Sequence, residues 1–459
     1  MLSYYFKIER LLKGRGRVQR CIIISPAINP GEGLPIPINK KLGSPASPSA
    51  LKKPYYGWII VIAALVVGAA LLGTRHSFGV FFNSMESEFG LSRATTSAIF
   101  SAYMVFSGVF SVLGGWILDK KGPKFTVALM GVFTGLSLLL SSQAHSIWQL
   151  YLTYSLVLAA GTGETFSIIG AFVSRWFQKK RGLALGVANM GGGLGGVILA
   201  PLATYLIINF NWRGAYIILG LATGGIVVGL SFLLKRDPRE IGLLPDGVKP
   251  EESNVAARPH HNHPSAGYTT GEALRSRPFW FLLFIWLFLS AAVYLIMNHI
   301  VPHALDVGIS SLAASTILSV ISGFYLVGGI VSGIFSDRIG RRVLALAGAS
   351  VGAGAFLWLM WMPSNLWLFY TFAALFGCSW GSIATASSAL AGDYFGMRSI
   401  GTILGWVVIG WFIGGAAGPP AGGFIYDVDH RYFWAFLMGA LSMLLVVLLM
   451  ALLPRPESK

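Results

Sequence analysis

Gly115–Trp116–Ile117–Leu118–Asp119–Lys120–Lys121–Gly122–Pro123–Lys124 returns later in the chain as Gly333–Ile334–Phe335–Ser336–Asp337–Arg338–Ile339–Gly340–Arg341–Arg342. Both copies fit Gly-x-x-x-Asp-(Lys/Arg)-x-Gly-x-(Lys/Arg), and an offset of 218 positions relates them. The same offset carries Phe177 onto Phe395, Pro201 onto Pro419 and Arg213 onto Arg431. One offset held over this length marks an internal duplication. Each motif part has a physical reading. The glycine lets a neighbouring helix approach, the aspartate can accept hydrogen bonds at a helix N-terminus, and the basic residues anchor a short turn on one side of a membrane.

A membrane is the only solvent that suits the rest of the chain. Of 459 residues, 54% are hydrophobic and only 11% charged, with 57 glycines; the mean hydropathy is +0.67. An average soluble chain is about 25% charged. Stretches near the roughly 20 apolar residues that cross a bilayer recur twelve times. In the first half they are Tyr56–Phe82, Ser97–Leu118, Phe125–Ser142, Trp148–Val173, Gly182–Ile207 and Tyr216–Leu234. In the second half they are Phe279–Ile300, Leu312–Phe335, Val343–Trp361, Trp367–Leu390, Gly401–Ile425 and Phe433–Leu453. The expected fold is all-α, with twelve transmembrane helices in two pseudo-symmetric six-helix bundles.

Loop charge gives an orientation. With the N-terminus inside, 30 of the 34 Lys and Arg residues fall on the inner side and 3 on the outer, with Arg75 left inside a span. The positive-inside rule then puts both termini in the cytoplasm of a cell (plasma or inner) membrane. It also explains the net charge of +16 as topology, so no nucleic-acid partner is expected. Residues 1–54 are expected to be a disordered basic tail, 55–234 and 278–454 the two bundles, 235–277 a cytoplasmic linker and 455–459 a short tail. The linker run Pro259–His260–His261–Asn262–His263–Pro264 lacks further ligands, and Cys21 and Cys378 stand alone, so no metal or cofactor is expected.

The duplicated motif resembles the hallmark of the major facilitator superfamily. In that family it forms a cytoplasmic latch, which here implies Gly115, Asp119 and Lys120 in one half and Gly333, Asp337 and Arg338 in the other. Tyr56–Gly57–Trp58, Ser77–Phe78–Gly79–Val80–Phe81–Phe82, Glu88–Phe89–Gly90–Leu91–Ser92–Arg93, the segment Arg236–Gly247 and Gly418–Pro419–Pro420–Ala421–Gly422–Gly423 are similar to the bacterial monocarboxylate transporter branch. The resemblance implies a secondary transporter, not an enzyme, and no phosphate-binding loop, zinc motif or nucleophile elbow argues otherwise.

Duplication also filters candidate chemistry, because an embedded charge with no twin in the other half serves something other than the scaffold. At the 218 offset Arg75 falls on Val293, His76 on Tyr294 and Glu164 on Ser382. A buried charge costs roughly 2.5–3.5 kcal/mol even on the lenient insertion scale. Arg75 could hold a carboxylate bidentately or snorkel to headgroups. His76 stands where the monocarboxylate family carries a functional lysine; it could relay protons or bond a carbonyl. Glu164 could hold a proton when desolvated or join a helix–helix hydrogen bond. Asn298 and His299, ahead of Pro302–His303, could supply polar contacts where the seventh span unwinds, or lie at the outer interface. Tyr103, Tyr154, Tyr325, Trp406 and Trp411 could line a cavity or simply pack.

One departure matters. Leu326 and Ile330 stand where monocarboxylate transporters place an Asp and an Arg in span 8, so any anion site has moved to the first span. The expected function is proton-linked carriage of a small organic anion by a monomer in the lipid bilayer. The alternative is export of drugs or other metabolites by proton antiport.

Overall fold

The computed structural model describes residues 55–163, 165–247, 267–361, 365–396 and 398–454, without the side chains of Ser167 and Asp337. Glu164, the expected tails over 1–54 and 455–459, and residues 248–266 of the expected linker lie outside the described residues.

Nine described helices are long and apolar enough to cross a membrane. Two of them are double. Arg93–Ser141 has 49 residues and Arg181–Ser231 has 51, far more than one crossing needs. Gly122 at φ 79° turns the chain inside the first, and Asn211 at φ 57° inside the second. Each therefore supplies two spans (2 and 3, then 5 and 6). The fourth span, over 147–176, is one crossing made of pieces: Ile147–Leu150, a π-helical turn Tyr151–Val157, Leu158–Thr162 and Thr165–Trp176. Span 1 is Tyr56–Phe89, interrupted at Ser77. Spans 7 to 12 are Arg277–Asp306, Ser311–Ile339, Arg341–Leu359, Leu366–Phe395, Ile400–Asp429 and Phe433–Leu452. The described residues thus give twelve spans.

The repeat is visible in the backbone. Gly122 and its twin Gly340 both have φ in the left-handed region, 79° and 97°. A side chain there is strained, which explains the second glycine of the motif. In both halves the first and fifth helices press backbone on backbone. A Cβ at Gly195 would collide with the carbonyl of Ala69, and one at Gly414 with the carbonyl of Leu287.

Spans 2 and 11 approach each other across the halves, as do spans 5 and 8. Gly423 lies against the backbone of Arg93 and Ala94, and a Cβ at Gly108 would stand 3.5 Å from the Phe412 ring. Further along, a Cβ at Gly115 would meet no described atom of a neighbouring helix within 4 Å. Spans 5 and 8 repeat the pattern: the Ser319 hydroxyl donates to the Val197 carbonyl at 2.9 Å, and Gly193 meets Leu326, but Gly186 and Gly333 face open space. The two halves are wedged together at the Arg93 end and part toward the Asp119 end.

Apolar side chains such as Ile62, Leu221 and Leu448 are exposed around the outside, as lipid contact requires. Trp148, Trp361 and Trp367, also exposed, sit at span ends on the Arg93 side, where an interfacial aromatic belt belongs.

Candidate functional site

Arg75 and His76 end the first stretch of span 1, just before the break at Ser77. Backbone contact with span 5 fixes one face of this helix. Beyond the break, a Cβ at Gly79 would run into the Met297 carbonyl of span 7. Arg75 is therefore held at the interface between the halves, 4% exposed. Its Cζ lies 5.5 Å from the centre of the Tyr294 ring, within cation–π range, and the phenols of Tyr103 and Tyr294 are its electrostatic neighbours. No described carboxylate forms an ion pair with it, and its Nε finds no hydrogen-bond partner.

His76 is equally buried and meets Trp380 edge to face, ring centres 6.0 Å apart. Neither ring nitrogen has a hydrogen-bond partner among the described groups. The hydroxyls of Tyr154, Tyr294 and Ser322 and the Oδ1 of Asn298 are likewise buried and unpaired. An unsatisfied buried polar atom costs about 1–3 kcal/mol, so a cluster of them points to a place where something polar binds.

Aromatic rings enclose this cluster. Phe78 packs on Tyr154 at 5.2 Å and on Phe100 at 5.4 Å, and Phe100 meets Tyr294 at 5.1 Å. Tyr294 meets Trp411 at 5.3 Å, Trp411 lies nearly parallel to Trp380 at 6.3 Å, and Tyr325 covers Trp380 at 4.3 Å. Tyr103 is tied down by Thr162 at 2.7 Å. Trp406 does not belong here; it is 47% exposed on the far side of its helix.

The other polar cluster closes the Arg93 end. Arg93 gives Nη1 to Asp306 Oδ2 at 2.6 Å and Nη2 to Asp306 Oδ1 at 2.8 Å. Its Nε reaches Glu86 at 3.3 Å, and Nη1 also donates to the Tyr432 hydroxyl at 2.7 Å. The guanidinium lies 3.7 Å above the Tyr426 ring. Asp427, on span 11, accepts from the backbone N–H of Arg93 and Ala94, each at 2.9 Å. It thus caps the span 2 helix from the opposite half, where the helix dipole favours an anion.

His299 belongs to this second cluster. Its Nε2 lies 2.8 Å from the Pro419 carbonyl and 3.1 Å from the Ser97 hydroxyl, and its Nδ1 is 3.1 Å from the Tyr432 hydroxyl. The pattern fits a proton on Nε2, with Tyr432 donating to Nδ1. Asn298 faces the central cluster instead, its amide bonding the Tyr294 carbonyl at 2.7 Å. Span 7 stays helical through both residues and through Pro302, so the expected unwinding does not occur. Both side chains are buried, not at an interface with headgroups.

At the other end, the Asp119 carboxylate meets Arg175 at 3.6 Å rather than a helix N-terminus. Arg236 donates to the Asp119 carbonyl at 2.8 Å, and Lys120 lies over the Trp116 ring at 4.1 Å. In the second copy Arg341 pairs with Asp393 at 2.5 Å. Gly115 and Gly333, read from sequence as admitting a neighbouring helix, have no described atom of another helix within 4 Å of where a Cβ would stand.

Two bundles of this geometry match a known family model. The model of the Major Facilitator Superfamily matches residues 56–324 and 300–459. The chain belongs to the Major Facilitator Superfamily. Like the relatives it matches, it is a transporter, not an enzyme. It is 29% identical over 393 residues to monocarboxylate transporter 13 of Bos taurus, covering 85% of this chain and 87% of that protein. It is 27% identical over 417 residues to monocarboxylate transporter 12 of Xenopus laevis, covering 86% and 88%. Among solved superfamily structures, a D-xylose-proton symporter aligns with a TM-score of 0.70 at 13% identity, covering 88% of this chain and 99% of that one. A bacterial homolog of the human lysosomal transporter Spinster, inward-facing and occupied, aligns at 0.67 with 14% identity, covering 87% and 96%. These two establish the fold.

Sequence reasoning missed Glu86, Asp306 and Asp427, which stand near span ends where charge is ordinary. Arg93 was visible inside the quoted Glu88–Arg93 segment. Tyr294 carried a usable signal: it is the 218-offset twin of His76, and the two close on the same site.

Proposed function

We propose that this chain carries a small organic anion, monocarboxylate-like, across a cell membrane by proton-linked alternating access. The bundles 55–234 and 278–454 would be the moving bodies of a monomer with both termini cytoplasmic. One observation carries the reading: Arg75 is a buried guanidinium between the halves, without a described carboxylate partner. A buried cation is strongly stabilised by an anion, and a guanidinium matches the two oxygens of a carboxylate. The name of the monocarboxylate transporter relatives supports the same solute class.

His76, beside Arg75 and with free ring nitrogens, is the proton carrier we favour. A proton taken up there would add to the positive field that receives the anion. Glu164 is the second candidate for this role. With the Arg93 end outside, the conformation described is closed to the exterior, and Gly115, Asp119 and Lys120 with Gly333, Asp337 and Arg338 form the parted cytoplasmic latch.

Uptake of labelled small monocarboxylates into proteoliposomes, with and without an imposed pH gradient, tests the proposal. Uptake should rise with the gradient, fall to background in Arg75→Ala, and lose its gradient dependence in His76→Gln. Equal uptake by wild type and Arg75→Ala would remove the anion site. Efflux driven by an inward proton gradient would instead favour an exporter.

A further inference from the structure

The two halves bring different chemistry to the central site, although one ancestral bundle gave rise to both. At the 218 offset Tyr294 corresponds to His76, Trp380 to Thr162, Trp411 to Gly193 and Tyr325 to Ser107. At these four positions the first half supplies an imidazole, two hydroxyls and a glycine, and the second half supplies phenol and indole rings. Positions that only hold the scaffold keep their character across the duplication, as Gly122 and Gly340 do. These four pairs have diverged, each in the same direction.

The rings form a continuous wall: Tyr325 lies on Trp380, Trp380 runs nearly parallel to Trp411 with 20° between their planes, and Trp411 meets Tyr294. One end of the wall touches His76 through Trp380 and the other touches Arg75 through Tyr294. Along it Tyr294 is fully covered, whereas Trp380 keeps 4% and Trp411 keeps 9% of its surface accessible. Tyr325 is only partly buried, so the surface that remains to meet a solute is the two indoles together with the Tyr325 ring.

We infer that the preferred solute is an aryl carboxylate, with its carboxylate on Arg75 and its ring against Trp380 and Trp411. The inference rests on the anion site proposed above and adds the class of the anion. A short aliphatic acid satisfies Arg75 and leaves the indoles uncovered. A ring in the same position buries apolar area and gains the offset or edge-to-face geometry that aromatic pairs favour. Leu326, which faces Gly193 across the halves, stands where the family resemblance implies an Asp in span 8, and brings no charge there.

The test is binding to the full-length purified protein, comparing phenylacetate, cyclohexylacetate, acetate and the cation phenethylammonium. Phenylacetate should bind at least about tenfold tighter than acetate and tighter than cyclohexylacetate, which matches it in bulk without a π face. Phenethylammonium should not bind. Trp411→Leu and, independently, Trp380→Leu should weaken phenylacetate far more than acetate and so remove the phenylacetate advantage, and Trp411→Phe should restore most of it. Equal affinity for acetate and phenylacetate in the wild-type protein overturns the inference, as does equal weakening of both ligands in the Leu variants. A different result separates failure of the underlying reading: if no carboxylate binds, or if Arg75→Gln leaves carboxylate binding intact, the anion site itself is wrong whatever the ring preference.

Discussion

Arg93 and Asp306 meet across the two halves as a bidentate pair, Nη1 to Oδ2 at 2.6 Å and Nη2 to Oδ1 at 2.8 Å. The arginine is 6% exposed and the aspartate 31%. With Asp427 capping the start of span 2 from span 11, the pair holds the Arg93 end shut while Gly115 and Gly333 stand free at the other end. Named contacts thereby define one conformation of the proposed alternating-access cycle.

Breaking the pair should shift that equilibrium. Removing one member of a hydrogen-bonded charge pair costs about 2–5 kcal/mol when buried, and the partial exposure of Asp306 places the cost near 2. Asp306→Asn or Arg93→Ala should raise the population open at the Arg93 end by roughly tenfold or more. Spin-label distances between the ends of spans 1 and 7 read this directly; unchanged distance distributions would deny the pair a gating role.

At the latch, Gly115→Leu should act on the equilibrium and not on folding. The added side chain meets open space in the present conformation, so thermal stability should change by less than about 0.5 kcal/mol. Closing the wedge would drive the leucine toward span 11, so transport should fall at least about tenfold. Full transport by this variant would show that spans 2 and 11 do not close there.

Gly195→Val and Gly414→Val should behave in the opposite way. Each Cβ collides with a carbonyl of the adjacent helix, and overpacking of this kind costs typically 1–3 kcal/mol or more. Lower melting temperature and poor yield are expected, whereas Gly186→Ala, which meets nothing, should be neutral. Melting curves of the three variants decide the matter.

Asp246 gives a pH dependence outside the membrane. Its carboxylate accepts the backbone N–H groups of Gln178, Lys179 and Lys180 at 3.0, 2.8 and 3.3 Å. Burial pushes its carboxyl up, but those donors outweigh it and hold it below the usual aspartate value. With a depressed folded pKa, the stabilisation is complete above the unfolded value near 3.9 and is lost as pH falls through the folded one. Asp246→Asn should cost about 1 kcal/mol at pH 7, as loss of a capping carboxylate does. The gap in melting temperature to wild type should narrow below about pH 4; a gap independent of pH would mean the charge is irrelevant.

The sequence reveals the bundles because duplication repeats both the turn glycines and the hydrophobic period, and it reveals Arg75 because a lone charge inside an apolar stretch has no local explanation. It hides the Arg93 cluster because Asp306 and Asp427 lie 213 and 334 positions away and no local period links them. Trp406 and Trp411 looked equivalent in composition. Five residues place them about 140° apart around a helix, so one faces the site and the other faces out.

The central claim is that Arg75 receives a carboxylate. Ligand-dependent melting of wild type and Arg75→Gln with phenylacetate, and with its methyl ester as a neutral match in shape, tests it most directly, since a ligand that binds the folded state raises its stability. The acid should stabilise wild type, the ester should not, and Arg75→Gln should respond to neither. Equal stabilisation of both proteins by the acid would contradict the account.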